Sequence, residues 1–173
     1  MTNQLVKSFL ICAVATTLFN NTSFAQQTSS ATATASATII TPISISKTAD
    51  MNFGNIAVSA STGGTVILAP AGTRTTTGSV SLPATTGTVT AAAFTVTGQG
   101  SYTYAITLPT TATLTDGTHN MTVSSFTSTP SSTGTLSAGT QNLTVGGTLT
   151  VSAAQAVNVY TTSSPFTVTV AYN

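Results

Sequence analysis

The sequence has almost no charge. Its 173 residues include three Lys or Arg, two Asp or Glu and one His. A protein that binds nucleic acid displaces counterions from phosphates with clustered basic side chains, and three basic residues spread along the chain do not form such a cluster. We therefore expect no nucleic-acid partner.

Titratable side chains of the kind that enzymes bring together are equally scarce. Beyond residue 30 the chain carries, besides four tyrosines, only Lys47, Asp50, Arg74, Asp116 and His119. Asp116 and His119 are the one acid and imidazole that are close in sequence, but two ligands rarely hold a transition metal. No Gly-x-Ser-x-Gly turn accompanies them for nucleophilic catalysis. We expect a surface turn there, a solvated pair at Lys47 and Asp50, and neither enzymatic activity nor a metal or cofactor.

The single cysteine, Cys12, lies in a segment with the features of a secretory signal peptide. Lys7 supplies a positive start, residues 8–19 form an apolar run of about 12 residues, and small residues precede a cleavage site after Ala25. We assign residues 1–25 to a signal peptide, so the exported chain has no disulfide. No later apolar run reaches the roughly 18 residues that a spanning helix needs, and we expect no transmembrane segment.

The side-chain charge of the exported chain is balanced. Lys47 and Arg74 offset Asp50 and Asp116. A soluble monomer usually keeps its net charge away from zero, whereas this surface must consist mainly of hydroxyl and amide groups. Such a surface suits packing against copies of the same chain, and self-association is therefore a hypothesis.

The pattern of side chains is that of β-strands. Thr is abundant, and apolar and hydroxyl residues alternate over residues 94–97, 149–151 and 166–172. Glycine-containing turns recur at short intervals, and Asp116-Gly117 is the strongest hairpin signal. Residues 39–173 are predicted to form one all-β domain, an antiparallel β-sandwich of about eight to ten short strands. Residues 124–137 have few bulky apolar side chains and are predicted to be a long surface loop.

Residues 26–38 are predicted to form an N-terminal arm, for which two interpretations stand. Small and hydroxyl side chains alternate here without a large apolar anchor, which is typical of a flexible leader. Alternatively, the arm is a donor strand that completes a groove in the next subunit by β-strand addition, with Ile39, Ile40, Ile43 and Ile45 as the larger anchors. The same isoleucines are needed, however, if this segment is the domain's own first strand.

The segment from Met51 to Gly54 and the four tyrosines are apolar or aromatic residues that could serve either the core or a binding site. Met51 and Phe53 lie two apart before Gly54, a spacing that predicts a core strand ending in a bend. The four tyrosines permit an aromatic platform for a glycan or a partner, but placement at every second residue favours core packing with hydroxyls at the rim of the sandwich. These tyrosines are Tyr102, Tyr104, Tyr160 and Tyr172.

Five segments are distinctive as an ordered set, namely residues 49–56 (ADMNFGNI), 94–100 (FTVTGQG), 102–109 (YTYAITLP), 143–155 (LTVGGTLTVSAAQ) and 166–173 (FTVTVAYN). In order and spacing they resemble a bacterial family catalogued as domain of unknown function 4402. The resemblance implies an immunoglobulin-like β-sandwich that a Gram-negative bacterium secretes across its inner membrane to the periplasm, the cell surface or the medium. It implies no activity.

The chain differs from this family at one turn, and it also resembles a second family. Members usually carry a Gly shortly before the aromatic residue that precedes the last strand, and Asn158 is expected to replace it in a left-handed conformation. The signal peptide, the arm and the penultimate Tyr172 are also similar to chaperone-usher pilins. That similarity implies a periplasmic chaperone or usher as a partner, although the pilin disulfide is missing here.

Three functions remain open. The leading hypothesis is a non-enzymatic structural or surface protein, a fibre-like subunit whose assembly residues are Ile39, Ile40, Ile43, Ile45 and Tyr172. The second hypothesis is a carbohydrate-binding or adhesin module that uses a tyrosine patch. The third is ice binding by pairs such as Thr148 and Thr150, although no fixed repeat of the kind that builds a solenoid is present.

Overall fold

The computed structural model describes residues 27–173, and the signal peptide predicted over residues 1–25 lies outside this range. The chain divides between Thr38 and Ile39. Residues 27–38 form no strand or helix, and their side chains are exposed. Residues 39–173 contain thirteen strands and no helix, which confirms the all-β class.

Most of the strands are short, except β9 and β11 with ten and twelve residues, and three strands have only two residues. The remaining ten agree with the expected number. In chain order the strands are β1 (Ser44–Ala49), β2 (Ala57–Val58), β3 (Gly64–Leu68), β4 (Arg74–Gly78), β5 (Val80–Ser81), β6 (Ala92–Thr97), β7 (Thr103–Thr107), β8 (Thr111–Thr115), β9 (Asn120–Thr129), β10 (Thr133–Thr135), β11 (Thr140–Val151), β12 (Thr161–Thr162) and β13 (Thr169–Tyr172).

A large antiparallel sheet forms one layer of the sandwich. Its strand order is β1-β6-β11-β9-β8-β12, and β3 and β4 extend it beside β11. The long strand β11 makes this possible, because Thr140–Val145 pairs with β6 while Gly147–Val151 pairs with β3. A three-stranded sheet, β10-β7-β13, and the short pair β2-β5 are separate from the large sheet. The arrangement is that of an antiparallel β-sandwich.

The core follows from alternation along the strands, since every second side chain of a strand points to the same face. On β11, for example, Leu143, Val145, Leu149 and Val151 are buried while Thr150 is exposed. Two buried clusters result. One contains Phe53, Val66, Leu68, Val80, Ala112, Val123, Leu149 and Val151, and the other contains Ala92, Val96, Tyr104, Leu136, Leu143, Val145 and Val168.

Two glycines allow close approaches that a side chain would prevent. A Cβ atom on Gly134 would overlap the ring of Tyr104, and one on Gly146 would overlap the carbonyl oxygen of Leu68. The first glycine lets the fully buried ring of Tyr104 approach the backbone of β10. The second lets the bend after β3 approach the backbone of β11.

The segment at Met51-Asn52-Phe53-Gly54 agrees with the predicted bend. Phe53 is buried, and Gly54 has a φ of 67°. The strand there is reduced to a single bridge between Asn52 and Thr90. The Arg74 guanidinium donates hydrogen bonds to the carbonyl oxygens of Phe53 and Asn55, the latter at 3.1 Å, and so holds the bend against β4.

The loop predicted over residues 124–137 is wrong. Most of it belongs to β9 and β10, and only short turns remain. Hydrogen bonding to β11, in which Thr144 pairs with Thr129, keeps this hydroxyl-rich segment in the sheet. Small side chains suffice at the inward positions here, as the buried Ser128 shows. The hairpin expected at Asp116-Gly117 is confirmed, because β8 and β9 pair on either side of it.

The left-handed conformation expected at Asn158 is also wrong. In that segment Ala154 has a φ of 50° and Asn158 does not have a positive φ. The amide of Ala154 donates a 3.0 Å hydrogen bond to the carbonyl oxygen of Ser59, which fixes the turn earlier in the chain. Asn158 uses its side chain instead, donating from Nδ2 to Asp116 Oδ2 at 3.3 Å.

Candidate functional site

An apolar groove of about 950 Å³ crosses the inner face of the large sheet. Residues 47–58 line it on the side of β1, and residues 155–166 line it on the side of β12, at the opposite edge of the sheet. Strands β6, β8, β9 and β11 form its floor through Ala92, Phe94, Ala112, Leu114, Met121, Val123, Leu149 and Val151. We call this feature the apolar groove. Most of the floor residues belong to the buried core, and the exposed part of the groove is its rim.

The apolar groove contains no unpaired charge. Of its lining residues only Lys47 and Asp50 are charged, and Lys47 Nζ lies 2.6 Å from Asp50 Oδ1. Both side chains are exposed at the rim, as expected for a solvated pair. A charged ligand would therefore find no partner on the floor and would lose its hydration there. The groove suits an uncharged, largely apolar occupant.

One wall of the groove is a strap, residues 155–162. Within it, the Tyr160 hydroxyl donates to the carbonyl oxygen of Ala156 and accepts from Gln155 Nε2, each at 2.9 Å. Strand β12 ties the strap to β8. Val157 and Val159 are fully or largely exposed, at 104% and 78%. The strap therefore presents apolar side chains to solvent at the edge of an apolar groove.

Asp116 fastens the turn beside the strap. Its Oδ1 accepts from the amides of Thr118 at 2.9 Å and His119 at 2.6 Å. Its Oδ2 lies 3.1 Å from His119 Nδ1 and accepts from Asn158. The backbone amides of His119 and Thr118, with smaller help from the His119 and Asn158 side chains, lower the pKa of the Asp116 carboxyl. His119 is half exposed, as expected for a surface turn.

Within residues 27–173, no group of three or more His, Cys, Asp or Glu side chains is placed to hold a metal ion. No helix in this range is long and apolar enough to span a membrane.

The predicted assembly residues occupy two different environments. Ile39 is 98% exposed, whereas Ile40 is half-buried. Ile43 and Ile45 pack against the buried cluster that contains Tyr104, and Ile45 pairs with Val96 of β6. The structure thus places Ile43 and Ile45 in or beside the domain's own first strand, and Ile39 outside its core.

Tyr172 joins the two ends of the domain. Its hydroxyl accepts a 2.6 Å hydrogen bond from the amide of Gln99 and donates a 2.9 Å bond to the carbonyl oxygen of Thr41. Among residues 27–173, strand β1 pairs only with β6, and β13 pairs only with β7. A seam with unpaired strand edges therefore runs between β1 and β13. Lys47 and Ala49 of β1 also line the apolar groove, so the seam and the groove are continuous.

The four tyrosines do not form one patch. Tyr104 is fully buried, and burial raises its pKa. Its hydroxyl donates a 2.8 Å hydrogen bond to Gln141 Oε1. Tyr102 is 44% exposed and packs edge-to-face on Tyr172 with ring centroids 5.6 Å apart, while Tyr160 lies in the strap. Core packing accounts for Tyr104, and the Tyr102 ring is the part left to solvent.

Sequence reasoning missed the apolar groove. The alternation at Met51 and Phe53 and at Leu149 and Val151 predicted core strands correctly. That pattern gives the inward face of each strand, but it does not indicate which distant segments border the strands, here residues near 47–58 and 155–166.

Comparisons with known proteins place the whole sandwich in one family. Neither the comparison with curated proteins nor the comparison with solved structures finds a match. A family model described as Domain of unknown function (DUF4402) matches residues 43–172. The match begins one residue before β1 and ends with β13, so it includes every strand and the apolar groove but not the arm. The chain therefore belongs to the DUF4402 family, as the resemblance of its five segments predicted.

Proposed function

We propose that this protein is a non-enzymatic structural subunit, secreted across the inner membrane, that assembles by β-strand addition. Residues 30–39 of one copy add to the free edge of β1 in the next copy and insert their apolar side chains into its apolar groove. The observation that carries the proposal is the groove itself, an uncharged apolar trough continuous with an unpaired strand edge.

The arm has the side-chain pattern of such a strand. Apolar residues occupy one face of an extended segment, namely Ala31, Ala33, Ala35, Ala37 and Ile39, and hydroxyl residues occupy the other. Residues 27–38 contain no charged side chain, which matches the absence of unpaired charge in the groove. Alanines permit close approach to the groove floor, and Ile39 provides one large anchor.

Energetics favour burying this face. Ile39 is 98% exposed, and removing such a side chain from water stabilises a complex by about 1.5–3 kcal/mol. The backbone of the arm would in addition pair with β1, whose outer edge otherwise presents unpaired amides and carbonyls.

The exposed apolar side chains at the rim of the apolar groove, Val157 and Val159, also explain a need for a partner during export. A subunit with this surface would aggregate before it met the next arm. A periplasmic chaperone or an usher-type partner that fills the groove until assembly is therefore part of the proposal. The place of assembly is the periplasm, the outer cell surface or the medium.

The test compares the size in solution of two chains, residues 26–173 and residues 38–173, by size-exclusion chromatography with light scattering. The longer chain should form oligomers, and the shorter chain should be monomeric. Two variants of the longer chain sharpen the result. Ala35→Asp puts a charge on the inserted face and should abolish oligomers, whereas Thr34→Asp puts the same charge on the outer face and should retain them. Monomers at every length, or equal effects of the two substitutions, would refute the proposal.

Carbohydrate binding is the second candidate, and the exposed ring of Tyr102 beside Tyr172 favours it. Aromatic rings at a surface are common contacts for sugars, and a glycan here would stack on Tyr102. A glycan array probed with residues 38–173 tests this candidate. Binding that Tyr102→Ala removes supports it, and an array without hits rejects it.

A further inference from the structure

A row of five threonines crosses the outer face of the large sheet. The register aligns Thr77 with Thr65, Thr65 with Thr150, Thr150 with Thr122, and Thr122 with Thr113. These residues lie on β4, β3, β11, β9 and β8, which are neighbouring strands. They are separated by up to 85 positions in sequence, so no repeat reveals the row.

The burial of the neighbouring residues establishes which face the row occupies. Val66, Leu149, Val123 and Ala112 follow or precede members of the row by one position, and all four are buried. Adjacent side chains on a strand point to opposite faces, so the threonines face outward. The Thr65 and Thr77 hydroxyl oxygens lie 2.7 Å apart, which confirms that they share this face.

A second row runs parallel to the first, two residues further along each strand. It consists of Thr75, Ile67, Thr148, Ser124 and Thr111. Neighbouring members of a row are about 4.8 Å apart, and the two rows are about 6.7 Å apart, as strand geometry dictates. The two rows define the threonine face, a two-dimensional array of hydroxyl and methyl groups.

The chemistry of the threonine face is unusual for a protein surface. Its ten positions carry eight threonines, one serine and one isoleucine, with no charge and no aromatic ring. Charged groups orient water strongly around themselves, whereas hydroxyls beside methyls hold water without imposing a charged hydration shell. The repeats of about 4.8 Å and 6.7 Å are close to the two oxygen repeats on a prism plane of hexagonal ice.

We infer that the threonine face binds ice. The spacing between strands and between alternate residues repeats its hydroxyl and methyl groups at intervals near those of the lattice oxygens. The inference is independent of the proposed assembly, because the threonine face is the outer surface of the large sheet and the apolar groove is on the inner surface. A crystalline polysaccharide is another flat surface with repeats of a few ångströms. Proteins usually bind such a surface through aromatic rings, and the threonine face has none.

Sheet twist determines which residues matter most. Adjacent strands rotate by about 20–25°, so a flat lattice contacts the central strands β3, β11 and β9 better than β4 and β8. The contact therefore centres on Thr150 and Thr148 of β11. Thr65 and Thr122 flank Thr150 on either side, and the threonines at the two ends of the rows contribute less.

The experiment measures thermal hysteresis and inhibition of ice recrystallisation with residues 26–173 and, separately, residues 38–173. Both chains should be active, since neither assembly nor the arm is needed. Thr150→Lys should reduce both activities to the level of buffer. Thr107→Lys, an exposed position on β7 in the other sheet, is the matched control and should leave them unchanged. Circular dichroism and thermal melting establish that both variants remain folded.

Three results would overturn the inference. One is the absence of both activities in the unaltered protein. Another is an equal effect of Thr150→Lys and Thr107→Lys in folded protein. The third is binding to crystalline cellulose or chitin, lost in Thr150→Lys, without any effect on ice, because the face would then recognise a polysaccharide.

Discussion

The hydrogen bond between Tyr104 and Gln141 allows a quantitative test of how the smaller sheet is held. Tyr104 is fully buried, and Gln141 Oε1 accepts both from its hydroxyl at 2.8 Å and from the amide of Thr135 at 2.9 Å. One side-chain oxygen of β11 therefore contacts β7 and β10 together. Removing the donor on Tyr104 and removing the acceptor on Gln141 should lower the free energy of unfolding by different amounts.

Tyr104→Phe removes the donor and leaves the ring in place against Gly134. Gln141 Oε1 keeps its second partner, Thr135, so no buried acceptor is left without a hydrogen bond. The loss is that of one ordinary hydrogen bond, about 1 kcal/mol. For a domain of this size that corresponds to a fall in melting temperature of about 4 °C.

Gln141→Leu removes the acceptor and leaves two donors, the Tyr104 hydroxyl and the Thr135 amide, without it. Thr135 is exposed, so its amide can bond to water, but the hydroxyl of the buried Tyr104 loses its partner at a cost of about 1–3 kcal/mol. This variant should therefore lose more stability than Tyr104→Phe. Gln141→Leu should lower the free energy of unfolding by less when Tyr104 is already Phe, because one of the two donors is then absent.

A double-mutant cycle measured by urea unfolding of residues 38–173 tests these values. The coupling free energy should be about 1 kcal/mol. The reasoning is refuted if Tyr104→Phe costs as much as Gln141→Leu, or if the two effects add within about 0.5 kcal/mol, the scatter expected of independent sites.

Three other predictions concern stability. Asp116→Asn should destabilise the protein at neutral pH. Because the folded-state pKa of Asp116 is lowered, its contribution is present above the ordinary value near 3.8 and is lost as the pH falls below it, so urea unfolding should show the two proteins converging in acid. Gly146→Ala should cost about 1–3 kcal/mol, because the neighbouring atoms are backbone of the bend at Leu68 and cannot move aside; a neutral result in thermal melting would contradict this. Leu136→Ala should cost about 2–5 kcal/mol, since Leu136 is 1% exposed, and a smaller loss in the unfolding free energy would indicate a collapsible core.

Local pattern was enough to predict the class of fold. The period of two over residues 94–97 and 149–151 depends only on which face of a strand is buried, and these residues lie in β6 and β11. The hairpin at Asp116-Gly117 was predictable for a similar reason, because glycine at a positive φ, here 96°, is a requirement of the turn itself.

Structure that depends on pairing with a strand distant in sequence could not be predicted from the local pattern. Residues 124–137 lack bulky apolar side chains, yet pairing with β11 holds them in the sheet. Ala154 takes a left-handed conformation although Asn158 has the better intrinsic preference, because the bond from Ala154 to Ser59 fixes the turn. The threonine face is the clearest case, since Thr113 and Thr77 become members of one row only through the registers of four separate strand pairs.

The contacts of Tyr172 bring the two ends of the domain close together. One hydroxyl oxygen joins Thr41, just before β1, to the last strand, so the domain begins and ends at one place. A short peptide could therefore link residue 173 to residue 41, and new ends could be opened at an exposed turn such as the one at Gly117 without moving the sheets. Any label fused to the C-terminus would stand beside Thr41, close to the start of β1.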